Sequence, residues 1–116
     1  MARKLSAEEE QVVRQLANGL AEAERQQLLA DLADCTVVPA TEDGARLQFT
    51  ISGYQRPPYH GQHSYTVGGS MEDADGTAIG VNLYADENHR ILELELIRWG
   101  DGPLLKPNWS SFRVQY

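Results

Sequence analysis

The sequence predicts an α+β fold, with two N-terminal helices packed on one face of a mostly antiparallel sheet of four to six strands. Three observations carry this. Before Cys35, valine and leucine recur at helical spacing. After Cys35 the apolar period drops to two. No helical stretch separates the later apolar runs, so no βαβ crossover exists to make the sheet parallel. The 116 residues form one expected domain, 1–116, large enough for a real core and too small for two.

Ser6-Ala-Glu-Glu9 reads as a capping box, in which hydroxyl and carboxylate each take the other's backbone amide. Val12 or Val13, Leu16 and Leu20 continue the first apolar stripe, and Asn18-Gly19 breaks it. Leu28, Leu29, Leu32 and Ala33 form the second stripe, within strong helix formers. Two short helices, over about 6–18 and 21–33, are expected. Thr36-Val37-Val38 is a strand stopped by Pro39, and "TEDG" is a turn. Leu47, Phe49 and Ile51 alternate with Gln48 and Thr50. His63, Tyr65 and Val67 alternate next, and "GGSMEDADG" reads as a polar turn. Ile79, Val81 and Leu83 make a further strand. In "ILELELIRW", Leu92, Leu94 and Leu96 are expected on one face, Glu93 and Glu95 on the other, with Trp99 in the core. "SSFRVQY" adds a short last strand.

Composition narrows the function classes. The net charge is −7, with acid spread over both the helical and the strand portions. Such a chain repels phosphate backbones, which argues against nucleic acid as a partner and favours a basic protein. No apolar run reaches membrane-spanning length, and no signal peptide is visible at the N-terminus. The single Cys35 forms no intrachain disulfide, and its apolar setting reads as a small buried hydrophobe. A cytoplasmic protein without membrane association is expected.

Motifs for chemistry are sparse. His60-x-x-His63 offers two nitrogens, but a zinc site needs further ligands, and nothing in the sequence groups Cys35 or His89 with them. Asp73-Ala-Asp75-Gly76 resembles part of a calcium loop, yet with Gly76 at position 6 the terminal ligand positions fall on Met71 and Asn82. No metal, cofactor or catalytic residue is therefore expected. Residues 72–75 read as a solvated acidic hairpin tip.

The segment "YQRPPYHGQH", residues 54–63, reads instead as a partner-holding loop. Pro57-Pro58 stiffens it, and a stiff loop loses less entropy on docking. Tyrosine and arginine are enriched among residues that carry binding energy. The expected partner-binding residues are Tyr54, Arg56, Tyr59, His60 and His63, with Glu72, Asp73 and Asp75 as the acidic contribution. Glu42, Asp43, Asp86 and Glu87 are second choices.

"RKLSAEEEQVVRQL" near the start and "DADGTAIGVNLYADENHRILELELIRWGDGPL" near the end resemble small bacterial immunity proteins of polymorphic toxin systems, including contact-dependent growth inhibition. Residues 35–70 lie outside the resemblance. It implies a non-catalytic cytoplasmic protein that binds one cognate toxin domain and covers its active site. Such toxins are frequently basic nucleases, which suits an acidic inhibitor. Two alternatives remain open at this point. One is a non-enzymatic interaction or accessory domain, monomeric or weakly homodimeric through a strand edge. The other is a small enzyme with His60 or His63 as its base.

Overall fold

Helix α1 (Ala7–Ala17) begins at the predicted capping box: the Glu9 amide donates to Ser6 Oγ at 3.1 Å and the Ser6 amide to Glu9 Oε1 at 2.8 Å. Arg3 adds two bonds to the same carboxylate, at 2.8 and 2.9 Å, so Glu9 is buried yet paired. Burial alone would raise the Glu9 pKa, but the Arg3 and Ser6 hydrogen bonds hold it below its ordinary value. In this computed structural model, residues 2–58 and 62–115 are described; Tyr59 and His60 lie outside them. After Asn18-Gly19, α2 (Glu22–Ala33) runs on and buries Leu28, Asp31 and Leu32. A Cβ at Gly19 would stand 2.8 Å from Val67 Cγ1, so the turn between the helices sits directly on the sheet.

Six strands follow: β1 (Cys35–Pro39), β2 (Arg46–Ile51), β3 (His63–Glu72), β4 (Ala78–Ala85), β5 (Ile91–Arg98) and β6 (Asn108–Val114). They form one sheet in the order β1-β2-β5-β4-β3-β6, with every pair antiparallel. The helices cover one face, α1 against β3 and β6 and α2 against β5. Val13, Leu16 and Leu28 from the helices meet Val37, Ile79, Val81, Leu83, Ile91 and Leu94 from the sheet in one core cluster. Each of these side chains contributes about 1.5–3 kcal/mol by leaving water. Cys35 joins the core, its thiol donating to the Leu32 carbonyl at 3.4 Å; burial, aided by Asp31, pushes its pKa up to about 11.

Three expectations need correction. "GGSME" is not a turn: residues 68–72 continue β3. Gly69 answers to packing, because a Cβ there would lie 2.6 Å from the Phe112 ring. Leu92 does not face the core. The β4–β5 register steps from Tyr84↔Glu93 to Ala85↔Ile91, so β5 carries an extra residue and Ile91 takes the buried position. Trp99 is not core: it is 68 % exposed, its indole lying across Gly80, where a Cβ would be 3.0 Å from Nε1.

Candidate functional site

Beyond β2, the chain turns at Gly53 (φ 76°) and lays Tyr54 and Arg56 against the β4–β5 turn. Tyr54 Oη donates to Asp86 Oδ2 at 2.6 Å, and Arg56 Nη1 donates to the same oxygen at 2.8 Å. Arg56 Nη2 also bonds the carbonyls of Phe49 on β2, at 2.7 Å, and Ile91 on β5, at 3.0 Å. β2 and β5 pair only over Arg46↔Glu95, Leu47↔Leu94 and Gln48↔Glu93. Where the ladder ends, the Arg56 guanidinium bridges both strands. The two residues expected to hold a partner are thus engaged within the fold.

The same end contains a second carboxylate, Asp31, 1 % exposed on α2. It accepts from Arg90 Nε at 2.8 Å, the Ile91 amide at 3.1 Å and Gln27 Nε2 at 3.0 Å. The Arg90 guanidinium lies 4.3 Å from the Tyr54 ring centroid, a cation–π contact that links the two carboxylate clusters. Asp86 also takes the amides of Asn88 and Arg90, which shapes the turn. Burial opposes its ionisation, but Tyr54, the two amides and Arg56 hold its pKa below the ordinary value. Within this turn His89 adopts φ 59°, a left-handed conformation that favours glycine. His63 is exposed at the start of β3, its ring 6.2 Å from that of His89.

Glu72, Asp73 and Asp75 lie at the other end of β3. His63 and Glu72 are separated by most of that strand, up to about 30 Å at the usual rise per residue, so they do not form one patch with Tyr54 and Arg56. Nor is the hairpin tip a uniformly solvated acidic cluster. Asp73 is 2 % exposed and accepts from the amides of Ala74, Leu105 and Lys106 at 2.8, 2.9 and 2.8 Å, and from Arg98 at 2.9 Å. Asp75 pairs with Arg98 through two bonds, at 2.9 and 2.8 Å. Asp43 takes the Leu104 amide at 3.0 Å, and Glu72 is exposed.

Those carboxylates fix the segment after β5. Leu104 is buried beneath it, whereas Trp99 and Leu105 are exposed by 68 % and 56 %. Glu42, Glu72 and Asp101 are exposed around the same end. Sequence reasoning missed this apolar pair because Trp99 follows the most regular strand and looks like its continuation into the core. The signal that could have found it is Gly80, the small residue over which the indole rests.

Among the described residues, no group of three or more His, Cys, Asp or Glu side chains is placed to hold a metal ion. No helix there is long and apolar enough to cross a membrane. A shallow groove of about 270 Å³ lies between α2 and the β4–β5 turn, lined by Ala23, Glu24, Gln27, Tyr65, Asn88 and His89. No curated protein and no solved structure matches the chain. A family model described as a domain of unknown function, DUF6984, matches residues 2–108, taking in both helices and β1 to β5 and ending at the first residue of β6. The chain belongs to the DUF6984 family.

Proposed function

We propose that this protein is an immunity-type inhibitor that binds a cognate toxin domain, a basic nuclease, and neutralises it by covering its active site, without a catalytic step of its own. The observation that carries the reading is the exposure of both Trp99 and Leu105 in the stretch after β5, which Asp73 and Asp43 pin at residues 104–106. Tryptophan is the residue type most enriched where binding energy concentrates. A pinned segment loses little entropy on docking. Exposed Glu42, Glu72 and Asp101 supply an acidic surround, and the net charge of −7 favours capture of a basic partner. The proposed docking end is therefore the Trp99 end rather than Tyr54 and Arg56, which the fold uses itself.

The experiment is co-expression with the product of the adjacent upstream reading frame, followed by titration of the purified pair. Expected are a one-to-one complex, loss of the toxin's activity in it, and at least a tenfold weaker Kd for Trp99→Ala, about 1.4 kcal/mol. A toxin that stays active when this protein is in excess would overturn the reading. Unchanged affinity for Trp99→Ala would overturn the assigned surface.

One observation favours a second reading. Among the described residues β6 is the last strand of the sheet, paired with β3 alone, and Val114 on it is 43 % exposed. An open edge of this kind suits strand-to-strand homodimerisation. A mass that stays dimeric on dilution in sedimentation experiments would support it.

A further inference from the structure

β1 stands at one end of the sheet order, so no strand of the sheet lies along its outer edge among the described residues. Its ladder to β2 turns the backbone groups of Thr36 and Val38 inward, in line with the bonds from the Ser52 amide to the Asp34 carbonyl and from the Ala40 amide to the Arg46 carbonyl. Cys35, Val37 and Pro39 therefore turn theirs outward. The N-terminal segment touches this edge at one point. The Arg3 amide donates to the Val37 carbonyl at 2.9 Å and the Val37 amide to the Arg3 carbonyl at 2.7 Å, an isolated antiparallel bridge. Thr36, Val37 and Val38 are uncharged and β-branched, the kind of edge that accepts a further strand.

Arg3 also defines the chemistry of what lies there. Its guanidinium forks onto Glu9, Nη1 to Oε1 at 2.8 Å and Nη2 to Oε2 at 2.9 Å. The Glu9 side chain is 8 % exposed and that of Arg3 is 43 % exposed. Oε1 keeps the Ser6 amide, whereas Oε2 has no other donor among the described residues. The place thus takes a main chain that pairs with Val37 and a forked cation that meets a buried carboxylate. Residues 2–4 fill it thinly. They are exposed, one bridge and one ion pair hold them, and Leu5 is the first residue of the chain packed against the core. Segments with so few contacts open at low cost. A longer segment would gain more, because Cys35 and Pro39 belong to no outer bridge among the described residues. Glu8 and Glu10 flank Glu9 in the first turn of α1, which draws a basic segment to the same spot.

We propose that residues 2–4 are an exchangeable cover, and that the β1 edge binds an extended, arginine-bearing segment of a basic protein partner. That segment runs antiparallel to β1 and places its guanidinium on Glu9 where Arg3 stands. Main-chain bonds to β1 supply affinity, and the arginine at one position supplies selectivity. The bonds between Ser6 and Glu9 do not involve the cover, so α1 keeps its start during the exchange. β2 separates this edge from β5 and Trp99, and the test needs no toxin, so the proposal stands or falls separately from the inhibitor reading.

The test is amide exchange and titration of the ¹⁵N-labelled protein with acetyl-Thr-Val-Arg-Val-Thr-amide, the same peptide with glutamate at its centre serving as control. Arg3→Ala loosens the cover. Its Val37 amide should exchange about tenfold faster than in the parent, while the Thr36 and Val38 amides, which face β2, stay as slow and show that the sheet is intact. The arginine peptide should bind this variant saturably, at least fivefold tighter than it binds the parent. It should return the Val37 amide to slow exchange and shift the amides of Cys35, Val37 and Glu9. Adding Glu9→Gln to Arg3→Ala should abolish the preference for the arginine peptide over its control. Equal binding of the two peptides by Arg3→Ala, shifts spread over the whole acidic surface, or a Val37 amide as slow in Arg3→Ala as in the parent would overturn the proposal. A stable dimer of Arg3→Ala without peptide, seen in sedimentation, would also overturn it by giving the edge to a second copy.

Discussion

Asp73 and Arg98 meet at 2.9 Å beneath the Trp99 segment, with side chains 0 % and 11 % exposed. The carboxylate holds the segment through the Leu105 and Lys106 amides as well. Asp73→Ala leaves these donors without their acceptor and should lower the unfolding free energy by about 3 kcal/mol, measured by urea denaturation. It should also make the Leu104–Leu105 bond cleavable by thermolysin under native conditions. A variant as stable and as resistant as the parent would show that other contacts hold the segment.

Acid should unfold the protein through the same group of carboxylates. Asp43, Asp73 and Asp86 have folded pKa values below their ordinary 3.8, and Glu9 lies below its ordinary 4.5. A depressed folded pKa contributes stability above the unfolded value, and that contribution is lost as pH falls through the folded one. The unfolding free energy should therefore be insensitive to these groups near neutrality and fall below about pH 4.5. Thermal melts between pH 2.5 and 7 measure this, and Asp73→Ala should show a shallower acid slope.

Tyr54→Phe separates scaffold from interface. It deletes the 2.6 Å bond to Asp86 and keeps the ring under Arg90. A loss of about 1.5 kcal/mol in stability is expected, typical for a hydrogen bond to a charged group. Affinity for the toxin partner should not change. A large loss of affinity with little loss of stability would return Tyr54 to the binding surface.

His89→Gly should stabilise the protein by about 1 kcal/mol, since φ 59° costs a side-chain-bearing residue what glycine avoids. Chemical denaturation reads this directly. An unchanged midpoint would mean that the imidazole makes up the backbone cost through its contacts.

Much of the fold was legible because its signals are local. Ser6 and Glu9 announce α1 from four residues, and Ile79, Val81 and Leu83 announce β4 from five. What was not legible depends on partners far along the chain. Asp73 reads as a surface acid until the amides of residues 105 and 106 arrive beside it. Arg56 reads as a binding residue until Phe49 and Ile91 present their carbonyls. Leu92 was misplaced by one inserted residue, which alternation alone does not reveal. Of the residues expected to form the interface, His63 and Glu72 are exposed, while Tyr59 and His60 lie outside the described residues.

The Arg56 bridge has a consequence for how the molecule comes apart. β1 and β2 form one hairpin and β3, β4 and β5 form a meander, and three ladder pairs with the Leu96 amide to Ala45 carbonyl bond join the two units backbone to backbone. Opening along that seam breaks fewer ladder bonds than separating β4 from β5. Regions with few shared backbone bonds are where cooperative unfolding units divide. Amide exchange should therefore separate the protein into two blocks, the β1–β2 hairpin exchanging earlier and the meander last. Two arginine side chains, Arg56 and Arg46 with its two bonds to Glu93, span the seam and set how far apart in time the two blocks are released.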